Sequence, residues 1–415
     1  MINAGRAGAV VALCLLAAVC EGIDLQAAGV AAAGIGAEFK PAPQQLGTFF
    51  SASTFGLLLG ALLGGWLSDR HGRKSILVSS VVAFGVFSLF TAAAHDITQL
   101  TWARLFTGFG LGGAMPNLLA LVTEESSERS RHANLTVVYA AMPIGGALVS
   151  LIAMMVPIDN WRLMFIAGGV LPLIVAPLMA RYLPESAEFQ AKRASAVLGA
   201  SVPVNRWRQV MGEGRGLSSL LLWISFFLGL LILYLLLNWL PTLMIGRGMS
   251  PASAALAQIA FNAGGAVAAV GLGRFLGGPH RLPAVSITVI AMPLLVWMLA
   301  RSQGQGADAV FIVLALGCAV LALQAFLNAT APTIYPVLAR GFGVGVAVAM
   351  GRLGAVVGPK LGGVWKAAGL STPQLLFKLL PIVILASVAT LVLALASGRL
   401  MRGAGKCRNG NVKER

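Results

Sequence analysis

The chain is a succession of long apolar stretches separated by short polar ones. Twelve such stretches, at 7–34, 46–68, 75–94, 99–122, 134–156, 162–182, 217–243, 253–275, 283–301, 308–332, 342–365 and 374–398, each approach or exceed the length of a bilayer-crossing helix. Crossing the hydrocarbon core takes about 20 apolar residues at 1.5 Å of rise per residue. The runs are too long, and alternate too rarely, for the strands of a membrane β-barrel. Composition agrees, with 58% hydrophobic and only 11% charged residues, against about 25% charged in a soluble domain. The predicted fold class is an all-α polytopic membrane protein of twelve transmembrane helices.

An even number of spans puts both termini on one side. Of the 30 Lys and Arg residues, 21 fall in the loops and tail of that side. Six (Lys40, Arg162, Arg247, Arg301, Lys366 and Lys378) fall on the other, and three (Arg104, Arg352 and Lys360) within spans. Basic loops stay in the cytoplasm, so both termini are expected there. The same distribution accounts for the formal net charge of +16 and removes the case for a nucleic-acid partner. The partner the spans demand is the lipid bilayer. Cys14, Cys20 and Cys318 lie in apolar spans and Cys407 in the basic tail, so no disulfide framework is expected. Charges at Glu21 and Asp24 interrupt the first apolar stretch, unlike the core of a cleavable signal peptide.

One long loop divides the spans six and six. The expected organisation is a six-helix half at 1–182, a linker at 183–216 with Pro184 and Pro203, a second six-helix half at 217–398, and a basic tail at 399–415. Two such halves suggest a transporter with its site near the bilayer midplane between them. Glycine-dense segments recur at corresponding places, "MPIGGALVS" in the fifth span and "GRLGAVVGPKLGG" in the eleventh. Glycines spaced by four (Gly56, Gly60 and Gly64; Gly108 and Gly112; Gly354, Gly358 and Gly362) permit close helix contact in lipid.

The costly residues carry the candidate chemistry. Glu21 and Asp24, in "CEGIDLQAAG", are three apart and so share a helix face in mid-span. A carboxylate there costs about 2.5–3.5 kcal/mol on insertion scales, so both must face the bundle interior or a wet cavity. Loading and releasing a proton is one use of such a pair; a buried ion pair that fixes packing, or a carboxyl kept neutral, is another. Arg104 is the expected partner of Asp24. Arg352, in the opposite half, offers a guanidinium fork that matches a carboxylate, or a structural pair. Asn117, Asn238, Gln258, Asn262, Gln324 and Asn328 are span amides that either line a polar path or hold helices together. The four histidines, His71, His95, His132 and His280, lie in or near loops and do not cluster. Neither a metal centre nor a catalytic constellation is expected, which argues against an intramembrane enzyme.

"GGWLSDRHGRK", Gly64 to Lys74, resembles the loop signature of the major facilitator superfamily. The resemblance implies a latch on the cytoplasmic side made by Asp69 with Arg70 and Arg73. "EGIDLQAAG", "ARLFTGFGLGGAMPNLLALVTE", "NWLP" and "YPVLARGFGVGVAVAMGRLGAVVGPKLGG" are similar to segments of its aromatic acid:proton symporter family. The first of these is most similar to the 3-(3-hydroxyphenyl)propionate branch of that family. The resemblance adds Glu124 and Arg340 to the gating set. It implies alternating access, with Asp24 and Glu21 coupling protons. Arg104, Arg352, Asn117, Asn238, Gln324 and Asn328 would bind the substrate, 3-(3-hydroxyphenyl)propionate or a related acid such as hydroxybenzoate. A proton gradient would replace any cofactor, in a monomer of the bacterial inner membrane. A non-aromatic acid such as muconate or a dicarboxylate, or export in place of import, is the alternative. Three departures stand out: "RGFG" at Arg340 to Gly343, Lys360 where an apolar residue is usual, and no acid in the second-half loop "GLGRFLGGPHRL".

Overall fold

The computed structural model describes residues 4–187, 189–190, 206–212, 214–272, 281–302 and 306–410. Twelve long helices account for most of them: α1 (Ala4–Phe39), α2 (Pro43–His71), α3 (Arg73–Ala92), α4 (Ile97–Glu125), α5 (Glu128–Met155), α6 (Arg162–Tyr182), α7 (Gly216–Ile245), α8 (Pro251–Val267), α9 (Arg281–Arg301), α10 (Ala307–Ile334), α11 (Val337–Ala367) and α12 (Thr372–Gly410). Eleven are long and apolar enough to cross a membrane; α8, at 17 residues, is shorter and continues as π-helix over Ala268–Leu272. Helices are required here because hydrocarbon offers the backbone no hydrogen-bond partners. Several exceed their predicted spans: α1 reaches Phe39 instead of 34, and α2 runs through the polar loop signature to His71. Gly72, at φ +97°, makes the one-residue turn into α3, a conformation that disfavours any side chain.

The two sets of six repeat one packing scheme. In the first, α1 packs on α5, α2 on α4, and α3 on α4 and α6; in the second, α7 packs on α11, α8 on α10, and α9 on α10 and α12. The glycines spaced by four sit at these contacts. A Cβ at Gly56, Gly60 or Gly108 would overlap the backbone carbonyls of Leu105, Phe109 or Ser53, which joins α2 to α4. Gly354 and Gly358 meet the carbonyls of Phe227 and Leu231 in the same way, joining α11 to α7. Between the sets, α2 packs on α11 and α5 on α8, contacts that interchange when one set is exchanged for the other, and α1 runs against α7.

The centre of the linker (191–205), most of the second-half loop motif (273–280) and the end of the tail (411–415) lie outside the described residues. The linker's last part forms a short helix, Arg206–Met211, whose Trp207 meets Phe342 and Trp223 edge-on.

Candidate functional site

Asp24 and Arg104 meet as the sequence suggests. Arg104 Nη1 donates to Asp24 Oδ2 at 2.7 Å, and Nη2 donates to the Asp24 carbonyl at 3.2 Å and to Ser53 Oγ at 3.0 Å. Ser88 Oγ donates to the other carboxylate oxygen at 2.7 Å. The guanidinium also lies 5.6 Å from the Phe165 ring centroid. Both charged side chains are essentially inaccessible, at 0% and 1% exposure. Every partner named belongs to the first six helices, so the pair ties α1 to α2, α3 and α4.

Glu21, one turn earlier on α1, is buried with its Oε2 unpartnered among the described residues. It lies within electrostatic range of Arg352 on α11 and of Tyr234 on α7, both in the second set. Arg352 Nη1 donates to the Tyr234 hydroxyl at 3.3 Å. The two acids thus serve different neighbourhoods: Asp24 is consumed within one half, and Glu21 faces charge across the interface.

Beside them lies a cavity of about 370 Å³ between the two sets, within the ~300–1,000 Å³ typical of small-molecule pockets. Its wall is mostly apolar. Tyr139, Tyr234, Gln26, Asn262, Gln324 and Asn328 supply much of its polarity. It extends from mid-helix toward the face that carries the termini, as Thr136 near the start of α5 and Asn328 near the end of α10 show. The opposite face is closed. There Gly47 on α2 abuts Gly363 on α11, Ser51 Oγ donates to the Val356 carbonyl at 2.8 Å, and Phe50 meets Trp239 edge-on at 5.2 Å.

Gln26 and Asn262 line the cavity and, with Gln258 behind them, form a cluster of three amides. Gln26 Nε2 donates to Asn262 Oδ1 at 2.8 Å. Gln26 Oε1 accepts from Asn262 Nδ2 at 2.7 Å and from Gln258 Nε2 at 2.9 Å. The cluster bridges α1 and α8, hence the two halves. Gly146 on α5 leaves room for Gln26, since a Cβ there would overlap its amide.

Several candidates stand elsewhere. Asn117 and Asn238 do not line the cavity. Each donates at 2.8 Å to a carbonyl one turn back, that of Gly113 or Tyr234, which spends the amide on its own helix. Arg104, offered as a substrate ligand, is buried behind Asp24 and does not line it either. On the termini face, Arg73 pairs with Glu124, and Ser186 Oγ donates to the same carboxylate. Glu185 accepts from the Lys74 N–H at 3.1 Å. Asp69, Arg70 and Arg340 are exposed; Arg70 lies over the Trp66 ring. Lys360 is exposed on α11. Among the described residues no group of three or more His, Cys, Asp or Glu is placed to hold a metal ion.

Gln26, Tyr139, Tyr234, Ser88 and Glu185 escape the sequence reading. Gln26 had a signal, a polar side chain two residues after Asp24 inside an apolar run. The tyrosines had none, because a Tyr in an apolar span resembles any other core aromatic.

Comparison with known proteins agrees with this architecture. Residues 14–359 match the Major Facilitator Superfamily. The chain is 40% identical to the 3-(3-hydroxy-phenyl)propionate transporter of Escherichia coli (strain K12), over 94% of each chain. It is 34% identical to the 4-hydroxybenzoate transporter PcaK of Pseudomonas putida, over 94% of this chain and 92% of that one. The xylose transporter XylE from E. coli, solved in an inward open conformation, superposes with a TM-score of 0.73 at 17% identity, covering 94% of this chain and 95% of that one.

Proposed function

Because the chain belongs to the Major Facilitator Superfamily, we propose that it imports a hydroxylated aromatic carboxylate together with a proton, across the bacterial inner membrane, with both termini in the cytoplasm. The observation that carries the reading is the cavity between the two halves, shut at one face and reaching toward the other, with an acid of one half and a guanidinium of the other behind its wall. Its apolar wall suits a ring. The relatives named for hydroxylated aromatic acids, matched over nearly their whole length, support that substrate class.

The coupling follows from counting charge in a low-dielectric site. Arg352 is one cation, and Glu21 and the substrate carboxylate are two anions that would share it. With Glu21 ionised and the cavity empty, the set is neutral. With Glu21 protonated and substrate bound, it is neutral again. Binding substrate while Glu21 is ionised would leave an uncompensated buried negative charge, which is strongly disfavoured. Substrate and proton therefore load and leave together. In this reading Glu21 is the proton carrier and Asp24 the pivot that anchors α1, which reverses the order of emphasis that sequence alone suggests.

Alternating access requires the closed face to open as the other shuts. The Gln26 cluster and the α2–α11 contact are the bonds to be broken, while the glycine-packed pairs inside each half move as rigid units.

Uptake of a labelled panel of aromatic and aliphatic acids into proteoliposomes, with and without an inward proton gradient, tests the proposal. Gradient-stimulated accumulation of hydroxylated aromatic acids is expected. Transport restricted to muconate or a dicarboxylate, or net extrusion only, would replace it with the alternative.

A further inference from the structure

The cavity wall carries an amide whose nitrogen finds no acceptor among the described residues. Gln324 lines the cavity, is only 6% exposed, and its Nε2 has no hydrogen-bond partner among the described residues. A buried donor left unmade is unfavourable, and native structures rarely tolerate one without cause. The other span amides show how such groups are normally settled. Asn117 and Asn238 donate to the carbonyl one turn back, and the amide nitrogens of Gln26, Gln258 and Asn262 each find an acceptor within their own cluster. Gln324 does neither. The facing helix also makes room for it: α7 has Gly229 at this level, where a Cβ would come 2.5 Å from Gln324 Nε2. One turn further along α10, Asn328 continues the polar stripe on the cavity wall.

The chemistry narrows what this amide meets. A primary amide presents a donor and an acceptor side by side, so its complement is a group that does both. A hydroxyl fits that description. A carboxylate, acceptor only, is served better by the Arg352 guanidinium. The remaining wall is apolar and takes the ring. We infer that Gln324 is the specificity-determining residue that reads a ring hydroxyl, its amide turning from the Gly229 side toward the cavity so that Nε2 donates to the phenolic oxygen and Oε1 accepts its proton. The inference rests on the reading of the protein as an aromatic-acid transporter and names the part of the substrate that Gln324 recognises.

The test is equilibrium binding of two acids that differ only in that hydroxyl, 3-(3-hydroxyphenyl)propionate and 3-phenylpropionate. It is made on the purified full-length protein and on Gln324→Met and Gly229→Ala. The parent should bind the hydroxylated acid about tenfold more tightly, the scale of one well-made hydrogen bond to a buried group. Gln324→Met, similar in shape but without the amide, should bring the ratio close to one by weakening the hydroxylated acid alone. Retained binding of 3-phenylpropionate certifies a folded site. Gly229→Ala, which keeps the amide but displaces it, should narrow the ratio as well. A parent that binds both acids equally, or a Gln324→Met protein that keeps the parent's ratio, overturns the inference and leaves aromatic-acid transport standing. A parent that binds neither acid brings down both.

Discussion

Arg104 grips Asp24 at two points, its carboxylate at 2.7 Å and its own backbone carbonyl at 3.2 Å, with neither side chain reachable by solvent. A contact to the backbone as well as to the charge fixes where α1 lies, beyond neutralising a buried acid. Asp24→Asn should therefore act first on the fold. Removing one member of a buried pair strands the other, at about 3–5 kcal/mol. Thermal unfolding in detergent should show a clear loss of stability. An Asp24→Asn protein as stable as the parent would mean the pair is dispensable to the fold.

The helix contacts make a prediction with its own control. Gly108→Ala and Gly354→Ala place a methyl against the carbonyls of Ser53 and Phe227, one at the α2–α4 contact of the first half and one at the α7–α11 contact of the second. Overpacking of this kind costs about 1–3 kcal/mol. Gly65→Ala, with nothing within 4 Å of the added carbon, should be neutral. Size-exclusion yield and unfolding temperature report the difference; equal behaviour of all three would refute the packing argument.

The Gln26 cluster should set the resting population of the closed face. Gln26→Leu removes the hydrogen bonds to both Asn262 and Gln258 while keeping bulk. Spin labels at Gln44 and Ala368, near the ends of α2 and α11, should show a longer-distance population grow relative to the parent. Gly146→Ala, which crowds the Gln26 amide, should move it the same way. Unchanged distance distributions in both variants would remove the cluster as a gate.

On the termini face, Arg73 and Glu124 are joined while Asp69 is exposed. If Asp69 engages only when this face closes, Asp69→Asn should slow transport several-fold without lowering stability. Glu124→Gln, which takes the carboxylate from Arg73 and Ser186, should lower both. Full transport by Asp69→Asn at normal abundance would show that the latch role is misassigned.

Much of this architecture was legible in the chain because bilayer physics leaves few choices. Apolar runs long enough to span have to be helices, and glycines spaced by four have to meet something. The Asp24–Arg104 pair was legible for a similar reason: a buried acid needs a cation, and few lie within spans. What the sequence concealed was division of labour. Glu21 and Asp24 share a face and differ by one turn, yet one is answered by Arg104 within its own half and the other approaches Arg352 across the interface. Gln26 and Asn262, 236 positions apart, meet only because the halves close on each other. Asn117 and Asn238 left two readings open because an amide in a span advertises polarity without revealing that its own helix has already satisfied it.

The central claim, that Glu21 carries the proton that accompanies the substrate, is tested most directly on Glu21→Gln in proteoliposomes, where gradient-driven accumulation and substrate exchange are measured on the same folded protein. A permanently neutral side chain at this position holds the site in its substrate-binding charge state and blocks the return of the empty carrier. The account predicts that accumulation of labelled 3-(3-hydroxyphenyl)propionate collapses to the level without a gradient while exchange persists. Accumulation by Glu21→Gln equal to that of the parent would contradict it.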